Sequence, residues 1–83
     1  SLYLGSNQIV TFDPTIALPS SLLDLYLRDN QMTTQGYIDS EVWANNLPNF
    51  VTTCSMYFTN NIDSISGTQL ESILLSKNCN VIV

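Results

Sequence analysis

A short segment that occurs twice constrains the fold of this chain more than any other feature. Residues 2–9 read Leu-Tyr-Leu-Gly-Ser-Asn-Gln-Ile, and residues 25–32 read Leu-Tyr-Leu-Arg-Asp-Asn-Gln-Met, 23 positions later and identical at five of the eight. In an extended strand, residues two apart share a face, so Leu25 and Leu27 point to one side and Tyr26 to the other. A strand with one apolar face is unstable alone, so the copies are expected to stack beside one another.

Two weaker copies follow in the second half of the chain. One strand is predicted near 54–56, which is 29 residues after the second copy, and another near 81–83, which is 27 residues further on. Thr59 then stands where the first copies have Asn7 and Asn30. An asparagine side chain both donates and accepts hydrogen bonds, so these two asparagines are predicted to satisfy backbone groups where each strand turns away.

The four copies resemble a leucine-rich-repeat protein, whose pattern is L-x-x-L-x-L-x-x-N-x-L with periods of about 20–29 residues. The resemblance implies an α/β solenoid, with parallel strands on the concave side and short helices on the convex side. Residues 1–83 would then form a single leucine-rich-repeat domain with strands near 2–4, 25–27, 54–56 and 81–83. Because repeat proteins need polar caps, the apolar first and last strands suggest a part of a longer chain, or ends covered by neighbouring subunits.

The connecting segments supply the remaining expected core. Four residues outside the strands are interpreted as inward anchors or buried loop residues: Phe12, Ile16, Ile62 and Ile65. Residues 36–46 are predicted to form one helix of about three turns. Its apolar face is formed by Ile38 and Val42, with Trp43 at the flank.

A second helix is predicted to begin at Thr68. Thr68 and Glu71 have the spacing of a capping box, in which each side chain bonds a backbone N–H group at the start of the helix. Leu70, Ile73 and Leu74 follow at helical spacing, and Lys77 falls where the helix dipole favours a cation.

The charges argue against two classes of partner. The net charge is −5, and Arg28 and Lys77 are the only cationic side chains. Nucleic acid binding needs clustered Lys and Arg, and so does binding to an anionic membrane surface. No apolar run is long enough for membrane insertion.

The sequence contains no set of residues typical of catalysis. Histidine is absent, which removes the usual base and the commonest metal ligand, so we expect neither an enzyme nor a cofactor or metal site. Cys54 is interpreted as a small core residue, with a bridge to Cys79 as the alternative. The turn Asn60-Asn61-Ile62-Asp63 is interpreted as a solvated turn, with a calcium site as the alternative.

The outward face of the strands is the expected binding surface. The predicted register places Tyr3, Tyr26, Ser55 and Ile82 in one row, and Gly5, Arg28 and Tyr57 in the next. Tyr and Arg are enriched in protein interfaces, although tyrosine is also simply a good strand residue. In leucine-rich-repeat proteins the concave face is commonly the recognition surface, and the resemblance implies the same role for Tyr3, Tyr26, Arg28 and Tyr57.

Two functions are consistent with these observations. The first is a non-enzymatic recognition module that binds a protein partner through the concave strand face. The alternative is a structural component of a virion, tail or cell-surface appendage, joined to neighbouring subunits edge to edge or end to end. The low share of charged residues and the many Asn, Ser and Thr residues favour an extracellular, cell-surface or virion-associated location.

Overall fold

A computed structural model describes all residues, 1–83, as a small α/β domain with one open, four-stranded parallel sheet. The strands are β1 (Leu2–Tyr3), β2 (Asp24–Tyr26), β3 (Cys54–Tyr57) and β4 (Cys79–Ile82), and they lie in the order of the sequence. The helices are α1 (Thr34–Asp39), α2 (Glu41–Asn45) and α3 (Gln69–Ser76). None of the helices has the length and apolar character needed to cross a membrane.

The repeated segments form neighbouring strands. Leu2 pairs with Leu25 and Tyr3 with Tyr26, which is the expected register for the first two copies. Leu25 is buried, and Leu27 continues the ladder by donating its N–H to the carbonyl of Tyr57 at 2.8 Å.

The register of the third strand differs from the expected one by two residues. Tyr26 pairs with Tyr57, 31 residues later and not 29, and Tyr57 pairs with Ile82. Either register keeps the aliphatic side chains inward, because side chains alternate with a period of two. The turn after the strand distinguishes the two registers: with an offset of 31, Asn61 takes the place of Asn30, whereas the expected register had put Thr59 there.

The asparagines form a ladder that joins successive turns. Asn30 is buried, and its Nδ2 donates to the carbonyls of Leu4 at 3.0 Å and Leu27 at 2.9 Å, while its Oδ1 accepts the Ile9 N–H at 3.1 Å. Asn61 repeats this arrangement one strand along, bonding the carbonyls of Leu27 and Phe58 and the N–H of Met32. Asn7 bonds only carbonyls of its own turn. Backbone groups left free by the ends of the strands are therefore satisfied by side chains.

The residue before each of these asparagines has a left-handed backbone. Ser6, Asp29 and Asn60 have φ values of 57°, 59° and 61°. Asp and Asn tolerate this region better than other residues with a Cβ. Asn60 also donates to the Asp29 carboxylate at 2.6 Å, so adjacent turns are joined on the outside as well.

The single helix expected over 36–46 is wrong; two short helices meet at Ser40. The Ser40 hydroxyl donates to the carbonyl of Gly36 at 2.8 Å and accepts the N–H of Phe12 at 2.9 Å. This side chain is fully buried and holds the segment before β2 against the helices. A serine that bonds backbone from within a helical segment favours such a bend.

The break changes which residues face the core. Ile38 and Val42, the expected apolar face, are 50% and 56% exposed. Tyr37, Trp43 and Ala44 are buried in their place, and Trp43 stacks on Phe12 with ring centroids 4.3 Å apart. Tyr37 and Trp43 are buried in preference to Ile38 and Val42 because aromatic rings remove more apolar surface from water.

Two of the four inward residues expected outside the strands are also exposed. Phe12 and Ile65 are buried as expected, but Ile16 and Ile62 are 45% and 64% exposed. Ile16 lies just after a turn in which the Asp13 carboxylate accepts the N–H and hydroxyl of Thr15. This local turn directs the segment over the surface.

The helix after Thr68 forms largely as expected. Thr68 Oγ1 accepts the Glu71 N–H at 3.2 Å, but the Glu71 carboxylate accepts the N–H of Gly67, not that of Thr68. Leu70 and Leu74 are fully buried. Lys77 follows the helix as its C-cap residue and donates to the carbonyl of Asn45 at 3.1 Å, which connects α3 to the end of α2.

Candidate functional site

The candidate site is a row of three tyrosines on the face of the sheet opposite the core. Tyr3, Tyr26 and Tyr57 occupy paired positions on β1, β2 and β3. Neighbouring rings stack with centroids 4.5 Å apart and planes within 3° and 5° of parallel. Since parallel strands lie about 4.8 Å apart, the in-register pairing itself places the rings at stacking distance. We call Tyr3, Tyr26 and Tyr57 the tyrosine row.

The alternation of the strands explains why the rings point outward. Leu25 and Met56 lie between outward residues and are buried at 1% and 0% exposure. Tyr26 and Tyr57 are half-buried by their neighbours in the row, whereas Tyr3 at the β1 edge is 70% exposed. Tyr26 is stacked on both faces and therefore presents mainly its edge and hydroxyl group. Tyr3 and Tyr57 each have an aromatic neighbour on one face only, and Tyr57 is paired with Ile82 on the other side.

Arg28 lies beside the row. Its Cζ is 5.4 Å from the centroid of the Tyr26 ring, a distance at which a cation is attracted to an aromatic ring. Gly5 occupies the corresponding position on the preceding turn, and a Cβ there would be 3.4 Å from Cγ of Arg28 and 3.2 Å from its carbonyl oxygen. The absence of a side chain at Gly5 leaves room for the stem of Arg28.

Asp24 lies on the other side of the row. It is two residues before Tyr26 on the same face of β2, opposite Ser55 in register, and it accepts a hydrogen bond from the Ser1 hydroxyl at 3.2 Å. Partial desolvation by the adjacent groups, then the charge of Asp24 and the neighbouring tyrosines, raise the pKa of Tyr26. The hydroxyl of Tyr26 consequently stays protonated and able to donate.

The structure brings the four proposed site residues onto one face, in an arrangement that differs from the expected one. Tyr57 belongs to the tyrosine row and not to the row of Arg28, and Ser55 lies beside Asp24 instead of next to Tyr26. Sequence reasoning had omitted Asp24 from the site. Aligning the third copy on its asparagine at Asn61 would have given the correct register.

The turn considered for calcium is occupied by structural contacts. The Asp63 carboxylate accepts the N–H and hydroxyl of Thr34 at the start of α1, at 2.7 and 3.2 Å. Asn60 and Asn61 bond the preceding turn, as described above. Asp63 therefore ties the turn after β3 to α1, and the two asparagines tie it to the turn after β2.

The two cysteines lie side by side in the core. Cys54 and Cys79 are paired in register on β3 and β4, and both thiols are free and buried. Burial, and then the proximity of Cys54, raise the pKa of Cys79 to about 12. Burial likewise raises the pKa of Cys54, whose side chain is fully buried, which agrees with its interpretation as a core residue. Thiols with raised pKa values are poor nucleophiles.

The fold and the site thus define a small α/β domain that displays an ordered aromatic row on a parallel sheet. Comparison of the chain with protein-family models, with curated proteins and with solved structures gives no significant match.

Proposed function

We propose that this chain is a non-enzymatic recognition module that binds a protein partner through Tyr3, Tyr26, Arg28 and Tyr57. The observation that carries the proposal is the stacking of the tyrosine row, with its rings 4.5 Å apart on an exposed sheet face and Arg28 beside the central ring. Tyrosine and arginine dominate the energetics of protein interfaces.

The stacking also reduces the cost of binding. Each immobilised side chain costs about 0.5–1.5 kcal/mol of conformational entropy when a complex forms. The rings of Tyr26 and Tyr57 are already held by neighbours on β1 and β2. A partner that contacts them would lose little of its interaction energy to ordering the row.

We further propose that the chain is a leucine-rich-repeat solenoid. Support comes from the recurrence of one unit: a short strand, a left-handed residue and an asparagine that bonds the turn before it. In this architecture the tyrosine row occupies the strand face that usually receives a partner. Because one fold can support many unrelated functions, the test is directed at the tyrosine row itself.

Selection from a random-peptide library provides that test. Peptides selected against the protein without prior bias converge on the surface where binding energy is most easily obtained. We expect most independent peptides to lose at least tenfold in affinity for the double variant Tyr26→Ala/Arg28→Ala. Circular dichroism establishes that the variant keeps its fold.

The matched control is Ile38→Ala/Val42→Ala. These two side chains are exposed on the helices and offer apolar surface far from the row. Affinity of the selected peptides for this variant should equal that for the parent protein. The proposal is refuted if most peptides instead depend on Ile38 and Val42, or if they bind the Tyr26→Ala/Arg28→Ala variant as tightly as the parent.

A structural role is the second candidate, and the exposed apolar residues of the helices favour it. Ile38, Val42 and Leu75 are 50%, 56% and 54% exposed on α1, α2 and α3. In an assembly such as a virion, tail or cell-surface appendage, neighbouring subunits would cover these residues. Sedimentation equilibrium distinguishes the candidates: an assembly component should self-associate with rising concentration, and Val42→Asp should abolish the association while leaving the tyrosine row intact.

A further inference from the structure

The outward face of β2 and of the extended residues that follow it carries both charged side chains of the exposed strand face, one on each side of the tyrosine row. Asp24, Tyr26 and Arg28 alternate with buried residues and share this face. At about 3.3 Å per residue the Cα atoms of Asp24 and Arg28 are about 13 Å apart, with Tyr26 midway. The Arg28 guanidinium leans towards the central ring, with its Cζ 5.4 Å from the Tyr26 centroid. A negative and a positive group therefore flank the central ring.

The neighbouring strands contribute no side-chain charge to this face. The outward residues at matching positions have no charged side chain: Ser1, Tyr3, Gly5, Ser55, Tyr57, Thr59, Asn80 and Ile82. Asp29, the nearest other carboxylate along the chain, is held by Asn60 at 2.6 Å in the adjoining turn. The face thus carries a two-charge pattern along one strand.

Both groups are available to a partner. Asp24 accepts only the exposed Ser1 hydroxyl, at 3.2 Å, so its carboxylate has unused acceptor positions. Arg28 is exposed, and its guanidinium lies over the Tyr26 ring without an acidic partner. The other cationic side chain, Lys77, bonds Asn45 at the helices and lies away from the sheet face.

We propose that the partner docks an extended segment along β2, with a basic side chain against Asp24 and an acidic side chain four residues away against Arg28. The inference rests on the proposed function and specifies the chemistry of its partner. Four residues of extended chain span about 13 Å, which equals the distance between the Cα atoms of Asp24 and Arg28. The residue between the two charges would then lie over the Tyr26 hydroxyl.

Short blocked peptides test the charge pattern. The probes are Lys-Thr-Val-Thr-Glu, Lys-Thr-Val-Thr-Lys and Glu-Thr-Val-Thr-Glu, and the protein is acetylated at Ser1 to remove the amino-terminal charge. NMR titrations follow the ring signals of the tyrosine row. We expect the Lys/Glu peptide to bind up to about fivefold more tightly than either of the others, since one exposed ion pair contributes up to about 1 kcal/mol.

Charge-reversed variants make the test specific. In Arg28→Glu the preferred probe should become the Lys/Lys peptide, and in Asp24→Lys it should become the Glu/Glu peptide. Lys77→Glu is the matched control, because it changes the net charge by the same amount as Arg28→Glu at a site away from the face. Its order of preference should equal that of the parent.

The results separate this inference from the proposed function. If the three peptides move the tyrosine signals equally, or if their order follows only their net charge in every variant, the charge pattern is refuted while the row remains a contact surface. If no peptide moves these signals, the docking along β2 is refuted. The proposed function itself fails only if the library peptides bind elsewhere.

Discussion

Replacing Asn30 by leucine tests the asparagine ladder most directly, since leucine has a similar size and removes only the polar groups. The substitution deletes hydrogen bonds from Nδ2 to the carbonyls of Leu4, Leu27 and Arg28 and the bond from the Ile9 N–H to Oδ1. The consequences for these four backbone groups differ, because some have a second partner.

The three carbonyls each keep another donor. Leu4 still accepts from Asn7 at 3.0 Å, Leu27 from Asn61 at 3.1 Å, and Arg28 from the N–H of Ser6 at 3.0 Å. Only the Ile9 N–H is left without a hydrogen-bond partner. An unsatisfied buried group costs about 1–3 kcal/mol, and each lost bond between satisfied groups costs about 1 kcal/mol. Some of this is offset by burying leucine, so we expect a net loss of about 3 kcal/mol.

This loss is a large part of the total stability. A domain of this size has a free energy of unfolding of about 4–12 kcal/mol, and each kcal/mol corresponds to about 4–8 °C in Tm. Asn30→Leu should therefore melt about 12–24 °C below the parent. Urea unfolding followed by the fluorescence of the single, fully buried Trp43 measures the difference.

Asn7→Leu is the internal control for this measurement. Asn7 is exposed and bonds only the Leu4 and Gly5 carbonyls of its own turn. Its replacement should cost no more than about 1 kcal/mol. If Asn30→Leu unfolds at the same urea concentration as the parent or as Asn7→Leu, the ladder does not stabilise the stack and the reasoning is wrong.

Two further predictions concern the packing of the helices and the core. Gly36→Ala should destabilise the protein by about 1–3 kcal/mol, because an added Cβ would overlap the carbonyl oxygen of Val10. Helix propensity alone predicts the opposite, a gain in stability of about 1 kcal/mol. A variant that is more stable than the parent in urea unfolding would disprove the contact between Gly36 and Val10. Stability should fall as the pH rises from about 9 towards 12, because burial raises the pKa of Cys79 from 9.0 and of Tyr37 from 10.0 to about 12 in each case, so the unfolded chain loses these protons first. Urea midpoints at pH 8 to 11 measure this decline, Tyr37→Phe should lessen it above pH 10, and midpoints that do not change with pH would contradict the burial of both groups.

The sequence predicts which residues belong to the candidate site but not how they are arranged across the strands. The alternation of the strands identifies Tyr3, Tyr26, Arg28 and Tyr57 as residues of one outward face. Which strand positions lie opposite one another depends on the length of each connection, and a shift by two residues leaves the inward and outward sets unchanged. The stacked row therefore appears only when Tyr26 is paired with Tyr57.

The local units of this protein follow from its sequence alone: the inward leucines of the repeated strands, the asparagines Asn7 and Asn30 of the first two turns, and the helix start at Thr68. These depend on neighbouring residues, so short-range periodicity and capping rules suffice to identify them. Tertiary contacts are needed to set the register of β3, the break at Ser40, and the burial of Tyr37 and Trp43 in place of Ile38 and Val42. Each of these depends on contacts between distant segments, such as Phe12 against Trp43, where competing side chains differ in how much surface they bury.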